Sequence, residues 1–343
     1  MTWAVPRFTK SRIDRAGATL ISTAPSSDAL DRALEIVNNW RSCHSFPLNT
    51  FQTTLRRKAR RVESLALTSQ RIKRLSSIDL KLRRFHGMKL SRMQDLGGCR
   101  AILSDVKRVY SLRKAYAKSD LRHALADEKD YIKNPKSSGY RGIHLIYKYV
   151  SDRTTTYNGL LIEIQLRTKL QHTWATAVET VGTLLRQSLK SSQGEDEWLR
   201  FFSLMGTVIA EKEESPPVPQ TPVARAELVA ELRERAADLQ VTARLTAYAQ
   251  ALKEMEKDIR KDTRYYLLEV YPSEHRTMVT GFSRLALDEA TSRYLDVEKS
   301  LKSPDAEAVL VSVSSVGDLR AAYPNYFLDT QAFLQILEGA LSG

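Results

Sequence analysis

Cations, an aromatic ring, an imidazole and a carboxylate fall within about forty residues of this chain. The first part reads Lys129-Asp130-Tyr131-Ile132, then Pro135-Lys136, then Gly139-Tyr140-Arg141-Gly142-Ile143-His144. A run from Leu161 to Thr168 follows it. Together they have the residue types that a site handling phosphates and a base requires. In that run Ile162, Ile164 and Leu166 alternate with Glu163, Gln165 and Arg167, so a strand places the two sets on opposite faces. The polar face then offers a carboxylate, an amide and a guanidinium about 7 Å apart. A strand with one solvated polar face shows the same alternation. Gly142–Val150 is a second strand candidate, and Asn158-Gly159 is a turn signal between the two. Antiparallel pairing brings His144 near Gln165 and Arg167 and gathers a polar cluster at one edge of the sheet.

A nucleoside triphosphate site also needs cations for phosphates and oxygen ligands for a metal. The apolar spacing of Ile72, Leu75, Ile78, Leu82 and Phe85 predicts a helix over Thr68–Phe85. On that segment Lys73, Ser77 and Lys81 follow one another at intervals of four and share a face, with Arg71 a turn away. Asp95 and Glu163 come from different elements, as ligands of one metal commonly do, and hard oxygens favour Mg²⁺ over zinc. An Asp beside a glycine pair is commonly a cap or a turn, so the joint occurrence of these residues carries the reading.

Elements elsewhere must position these groups. Asp28–Arg41 and Phe51–Leu67 read as amphipathic helices joined near Pro47. Asp95–Leu103 is a glycine-rich turn entering a short strand, and helices are predicted over Val106–Ser119 and Leu170–Leu189. The order predicts an α+β fold, a mixed sheet flanked by helices. Ser215–Pro222 is a proline-rich linker. A helix of about forty residues is predicted over Val223–Lys261, then a small module with strands at Tyr265–Tyr271, Arg276–Phe282 and Ala308–Val313 and helices at Ala286–Lys302 and Thr330–Leu341.

With 343 residues, the chain has room for two domains. Its 42% hydrophobic content and mean hydropathy of −0.36 are those of a globular protein. No apolar run reaches the ~18 residues of a membrane span, the N-terminus lacks a signal-like apolar core, and Cys43 and Cys99 are too few for a zinc cluster or a disulfide framework. A cytoplasmic location without membrane association is the resulting expectation. The net charge is +13. Thirteen Lys and Arg against two acids between Phe51 and Arg92 supply most of it. That surplus suits a polyanionic partner; a solvated helix face is the alternative.

The motifs resemble the RelA/SpoT nucleotide pyrophosphokinases. The resemblance spans about Arg71 to Glu179: Arg-x-Lys-x-x-x-Ser-Ile-x-x-Lys (71–81), Asp-x-x-Gly-x-Arg (95–100), Lys-Asp-Tyr-Ile-x-x-Pro-Lys-x-x-Gly-Tyr-Arg-x-x-His (129–144), Glu-x-Gln-x-Arg-Thr (163–168) and Trp-Ala-x-x-x-Glu (174–179). It implies the alarmone-synthetase, nucleotidyltransferase-like fold. By resemblance Arg71 and Arg100 would sandwich the adenine of ATP, the pyrophosphate donor, and Lys73, Ser77 and Lys81 would hold its phosphates. Asp95 and Glu163 would bind Mg²⁺, with Glu163 helping to deprotonate the attacking hydroxyl. Tyr140 would stack on the acceptor base, and Lys136, Arg141, His144, Gln165 and Arg167 would line the acceptor side. A ribose 3′-hydroxyl would attack the β-phosphorus and AMP would leave.

Long family members begin with a hydrolase domain, for which the roughly fifty residues before the basic helices leave no room, so alarmone hydrolysis is not expected. The family's usual Glu-His after the long helix reads Glu179-Thr180 here. The segments 39–50, 93–100 and 171–175 resemble the toxic CapRel branch, fused toxin–antitoxin proteins of phage defence that modify the 3′ CCA end of tRNA. On that resemblance residues 1–212 would be the pyrophosphokinase domain, 213–222 a linker, 223–263 a connecting helix and 264–343 an antitoxin module with a zinc-finger-like fold lacking zinc. Tyr323 and Tyr326 resemble the branch's inhibitory Tyr-x-x-Tyr pair, and a phage capsid protein would be the trigger; aromatic packing beside a turn is the plainer reading. The partners implied are tRNA and that capsid protein, with a monomer favoured. An alarmone synthetase using GDP or GTP and a non-catalytic RNA-binding protein on the same fold are the other two readings.

Overall fold

The alternation that places Glu163 opposite Ile162 and Ile164 is built into the middle of a sheet. In the computed structural model, which describes residues 3–188, 195–239, 241–242, 245, 263–271, 276–301, 307–312 and 331–342, strands β2 (Gly97–Leu103) and β5 (Leu161–Thr168) run side by side in parallel. Strand β1 (Leu67–Ile72) pairs antiparallel with β2, and β4 (Ile143–Lys148) antiparallel with β5. Strand β3 (Ala124–Asp130) borders β4. Three strands from the C-terminal part, β6 (Thr263–Tyr271), β7 (Arg276–Ser283) and β8 (Glu307–Ser312), extend the same sheet, because β8 pairs with the free side of β1. Among the described residues the strand order is β3-β4-β5-β2-β1-β8-β6-β7. The mixed sheet and its flanking helices are the α+β arrangement expected.

One face of the sheet is apolar. Cys99, Ala101, Ile162, Ile164 and Leu166 are buried there. They pack under α3 (Ser45–Val62), whose Leu48, Phe51, Leu55 and Ala59 recur every three or four residues and are also buried. Burying one such aromatic side chain contributes about 2–3 kcal/mol. The helices α1 (Lys10–Leu20) and α2 (Ser27–Ser42), together with α4 (Leu75–Arg84) and α5 (Val106–Ala117), complete this core. Side-chain caps from Thr9, Ser26 and Asp105 start α1, α2 and α5. On the polar side, α6 (Lys169–Ser188), α7 (Glu195–Lys212), α8 (Arg225–Asp238) and α10 (Gln331–Leu341) share a second core around Trp174, Trp198, Phe201, Phe202 and Phe333. Helix α9 (Leu287–Ser300) covers β6 and β8 through Ala290, Tyr294 and Val297. No helix among the described residues is long and apolar enough to cross a membrane.

Several elements differ from the sequence expectation. The helix predicted over Thr68–Phe85 is two elements: Leu67–Ile72 is a strand, and the helix begins at Leu75. Pairing of β1 with strands on both sides outweighs the helical spacing in which Ile72 takes part, since tertiary pairing overrides a local pattern. Lys73, Ser77 and Lys81 therefore do not share one helical face; Lys73 lies in the strand-to-helix connection. Helix α3 starts six residues before Phe51 and carries Pro47 in its first turn, where a missing backbone N–H costs nothing. Helix α1, strand β3 and helix α7 have no counterpart in the sequence reading. The proline-rich stretch is docked rather than free: Val218 is buried, and its N–H donates to Thr207 Oγ1 at 3.0 Å. Of the helix predicted over Val223–Lys261, the structure describes α8; the segment 246–262 lies outside the described residues, as do Tyr323 and Tyr326.

Candidate active site

Asp95, just ahead of β2, sits between two ammonium groups. Lys73 Nζ donates to its Oδ2 and Lys81 Nζ to its Oδ1, both at 2.9 Å. Burial works to raise the Asp95 pKa, but the charges and hydrogen bonds of Lys73 and Lys81 outweigh it and hold the carboxyl at about 2. Burial lowers the pKa of Lys73, with Asp95 opposing that shift. The Lys73 N–H donates to Leu96 O at 2.8 Å, which fixes the lysine backbone against the residue following its partner.

Glu163 projects from the polar face of β5, a strand that neighbours β2. The β4–β5 register sets His144 opposite Gln165, and both reach the carboxylate: His144 Nδ1 lies 2.8 Å from Oε1, and Gln165 Nε2 donates to Oε2 at 2.7 Å. Burial pushes the Glu163 pKa up; the hydrogen bond and charge of His144 more than offset it, and the net shift is downward. The Asp95 charge acts on Glu163 in the upward direction, the mark of two carboxylates facing one space. The other ring nitrogen of His144 meets the Tyr140 hydroxyl, to which Arg167 Nη2 donates at 2.6 Å. Burial raises the Tyr140 phenol above its ordinary range. Lys136 Nζ lies 4.4 Å from the Tyr131 ring centre and 5.3 Å from that of Tyr140.

Between these carboxylates opens a cleft of about 380 Å³, lined by Arg71, Lys73, Asp95, Gly98, Cys99, Arg100, Glu163 and Gln165. In the β1–β2 register Arg71 faces Gly98 and Ser69 faces Arg100. Arg71 and Arg100 are thus diagonal neighbours on one face, about 7–8 Å apart at the backbone, and both line the cleft. A side chain at Gly98 would grow into the cleft, its Cβ 3.9 Å from Glu163 Oε2. A second pocket, open to solvent, lies toward α2 and α9; Arg71 also borders it, but the paired carboxylates do not.

The structure therefore brings Arg71, Lys73, Asp95, Arg100, Glu163 and Gln165 to one cleft, with Lys81 on Asp95 and with Lys136, Tyr140, His144 and Arg167 in an adjoining layer. Two expected residues stand elsewhere. Arg141 is 2% exposed and donates to the carbonyls of Ile132, at 3.3 Å, and Pro216. Its neighbour Tyr140 turns toward the site and Arg141 turns away, so it clamps the proline-rich stretch and does not line the acceptor side. Ser77 Oγ accepts from Arg74 Nε at 3.3 Å and is not among the residues lining the cleft. The sequence reading missed His172, whose Nδ1 lies 3.3 Å from Arg100 Nη1. It also missed what Gly139 does. At φ +91°, a Cβ there would lie 2.8 Å from Phe202 O and 2.9 Å from the Trp174 ring, so glycine alone lets Tyr140 enter the site over α6. The G-Y-R-G spacing was the available signal.

Among the described residues no cluster of three or more His, Cys, Asp or Glu forms a metal cage. Two ionised carboxylates on one cleft do fit Mg²⁺, which is commonly held by one or two carboxylates plus substrate phosphates.

Residues 70–181 match the family model described as "Region found in RelA / SpoT proteins". The chain is 33% identical over 111 residues to the GTP pyrophosphokinase YjbM of Bacillus subtilis, a stretch covering 31% of this chain and 51% of the relative. It is 33% identical over 116 residues to the GTP pyrophosphokinase YwaC of the same organism, covering 32% and 54%. The chain thus spans about half the length of the curated relatives it matches. Among solved structures, small alarmone synthetase 2 from Bacillus subtilis aligns with a TM-score of 0.43 at 22% identity, over 51% of this chain and 93% of that one. A GTP pyrophosphokinase family protein from Streptococcus pneumoniae aligns with a TM-score of 0.41 at 23% identity, over 49% and 84%. Residues 70–181 are therefore similar to the region found in RelA / SpoT proteins and to GTP pyrophosphokinases.

Proposed function

We propose that the cleft transfers pyrophosphate from ATP to the 3′-hydroxyl of a guanine ribonucleotide. The observation that carries this reading is the pair of ionised carboxylates on one cleft: Asp95 is held by two lysines, Glu163 by His144 and Gln165. Arg71 and Arg100 take the adenine between them, and Lys73 and Lys81 face the phosphates. Mg²⁺, held by Asp95 and Glu163, supplies charge neutralisation at the phosphates when bound. Glu163 orients the acceptor hydroxyl and receives its proton. The 3′-oxygen bonds to the β-phosphorus, the bond from that phosphorus to the α–β bridging oxygen breaks, and AMP leaves with that oxygen. Positioning and charge complementarity supply most of the acceleration. The guanine acceptor is supported by the two relatives, both GTP pyrophosphokinases.

The net charge of +13 favours a second reading, in which the acceptor is the 3′ end of tRNA and the C-terminal part restrains a toxin until a phage capsid protein releases it. The experiment offers the full-length protein γ-³²P-ATP with GDP, GTP and bulk tRNA side by side. Label in guanine nucleotide is the expected result. Label in tRNA alone overturns that acceptor in favour of the second reading, and label in none of them, from wild type and from full-length Tyr326→Ala alike, refutes pyrophosphoryl transfer. The restraint has its own test: full-length Tyr326→Ala arrests growth if the second reading holds, and normal growth with a stable, soluble variant counts against it.

A further inference from the structure

The segment Lys73–Leu75, which carries a proposed phosphate ligand into α4, is held on its other side by residues far from the cleft. Arg41, at the end of α2, is 1% exposed. Its Nε donates to Lys73 O at 3.0 Å, and its Nη1 donates to Asn38 Oδ1 at 2.8 Å and to Glu298 Oε2 at 2.6 Å. Its Nη2 reaches the Tyr294 hydroxyl and Glu298 Oε1. Glu298, on α9, also accepts the Leu75 N–H through Oε1 at 2.9 Å. That N–H belongs to the first turn of α4, where a carboxylate complements orphan donors and the helix dipole. Arg74, in the N-cap position, makes no side-chain cap, so Glu298 caps the helix from 223 residues away.

We infer that Glu298 is a positioning residue for the phosphate-binding segment: acting with Arg41, it fixes the Lys73–Leu75 backbone so that the Lys73 ammonium stays on Asp95. Lys73 is pinned at both backbone groups, its N–H on Leu96 O and its C=O on Arg41 Nε. Removing Glu298 leaves the Arg41 guanidinium buried without this carboxylate, and such a charge relaxes toward water rather than staying where it was. The relaxation takes the bond to Lys73 O with it. The C-terminal part of the chain therefore completes the donor side of the cleft rather than only lying beside it. The inference rests on the proposed ATP reading, because Lys73 is assigned to phosphate there.

The experiment compares full-length wild type with Glu298→Ala and Glu298→Gln. It measures binding of a non-hydrolysable ATP analogue, steady-state KM for ATP and for the acceptor, and amide hydrogen exchange over residues 73–78. Glu298→Ala is expected to weaken analogue binding and raise KM for ATP about tenfold or more, a shift typical of losing one hydrogen bond to a charged group, and to speed exchange at Leu75. KM for the acceptor should change less than about twofold, since a positioning effect at Lys73 acts on the donor alone. Glu298→Gln, which keeps an acceptor for the Leu75 N–H, should fall between the two and serves as the test if the alanine variant does not fold. Unchanged exchange at Leu75, or equal losses for donor and acceptor, overturns the role given to Glu298. A wild-type protein that binds no ATP analogue refutes the ATP reading itself, and with it the assignment of this strut to phosphate binding.

Discussion

The two faces of the same sheet are built on opposite principles. Toward α3, Cys99, Ala101, Ile162 and Ile164 meet Leu48, Phe51 and Leu55 in a core of apolar side chains. Toward α6, the same strands present Arg100, Glu163, Gln165 and Arg167, buried or half-buried, each engaged with another polar group. Apolar packing is non-directional and tolerates rearrangement. A polar network in low dielectric is strong only while every member keeps its partner. Substitutions on the first face should therefore cost stability, and substitutions on the second should cost chemistry.

The largest separation is expected at Glu163. Glu163→Gln keeps size but removes the charge and turns one of the two acceptor oxygens into a donor, and transfer should fall by about 10³-fold or more, in the range seen when an acid–base group is lost. The thermal midpoint should move little, a result that calorimetry alongside the rate assay checks. The complementary change is Phe51→Ala, which should cost about 3–5 kcal/mol of folding free energy by denaturant titration, with kcat of the remaining folded protein within about threefold of wild type. A Phe51→Ala enzyme that is stable but slow would break the distinction between the faces.

A third test uses pH. His44, 1% exposed beside Gly97, has a pKa pushed by burial from 6.5 down to about 4, against the opposing hydrogen bond to Trp40 O. Between pH 6.5 and 4 the unfolded chain binds a proton that the folded chain refuses, so stability rises with pH there and is lost as pH falls through that window. The effect is on the order of 3 kcal/mol across the window. His44→Gln should flatten that part of the stability profile. Asp95 is an acid rather than a base, but its effect has the same direction: its stabilisation, present above the ordinary carboxylate range, is lost as pH falls toward about 2. The two steps therefore occupy different pH ranges and are resolved by titrating stability from pH 8 to 2.

The polar face was the legible one. Period-two alternation in 161–168, with the strand candidate 142–150 and the turn signal Asn158-Gly159, gives the antiparallel pair, the faces of its second strand and the meeting of His144 with Gln165, because alternation is a local property of a strand. The segment 68–85 misled, since Ile72 continues the spacing of Leu75, Ile78 and Leu82 although β1 ends there; its strand exists because β2 and β8 pair with it from either side. Arg141 has the same composition cue as Tyr140 and points the other way, which the sequence does not encode locally. The basic surplus between Phe51 and Arg92 divides as well: Lys73 and Lys81 belong to the cleft, whereas Arg56, Arg57, Arg60 and Arg61 lie on α3, on the opposite side of the sheet. The bond between Arg41 and Glu298 joins residues 257 apart, and no spacing rule reaches that far.

The decisive measurement follows γ-³²P-ATP with GTP as acceptor, using full-length wild type and Glu163→Gln at equal folded concentration. Labelled guanine nucleotide and an equal amount of AMP are expected from the wild type, and neither from the variant. Release of ADP with labelled inorganic phosphate in place of AMP would refute pyrophosphoryl transfer, and equal transfer by the two proteins would remove Glu163 from the chemistry.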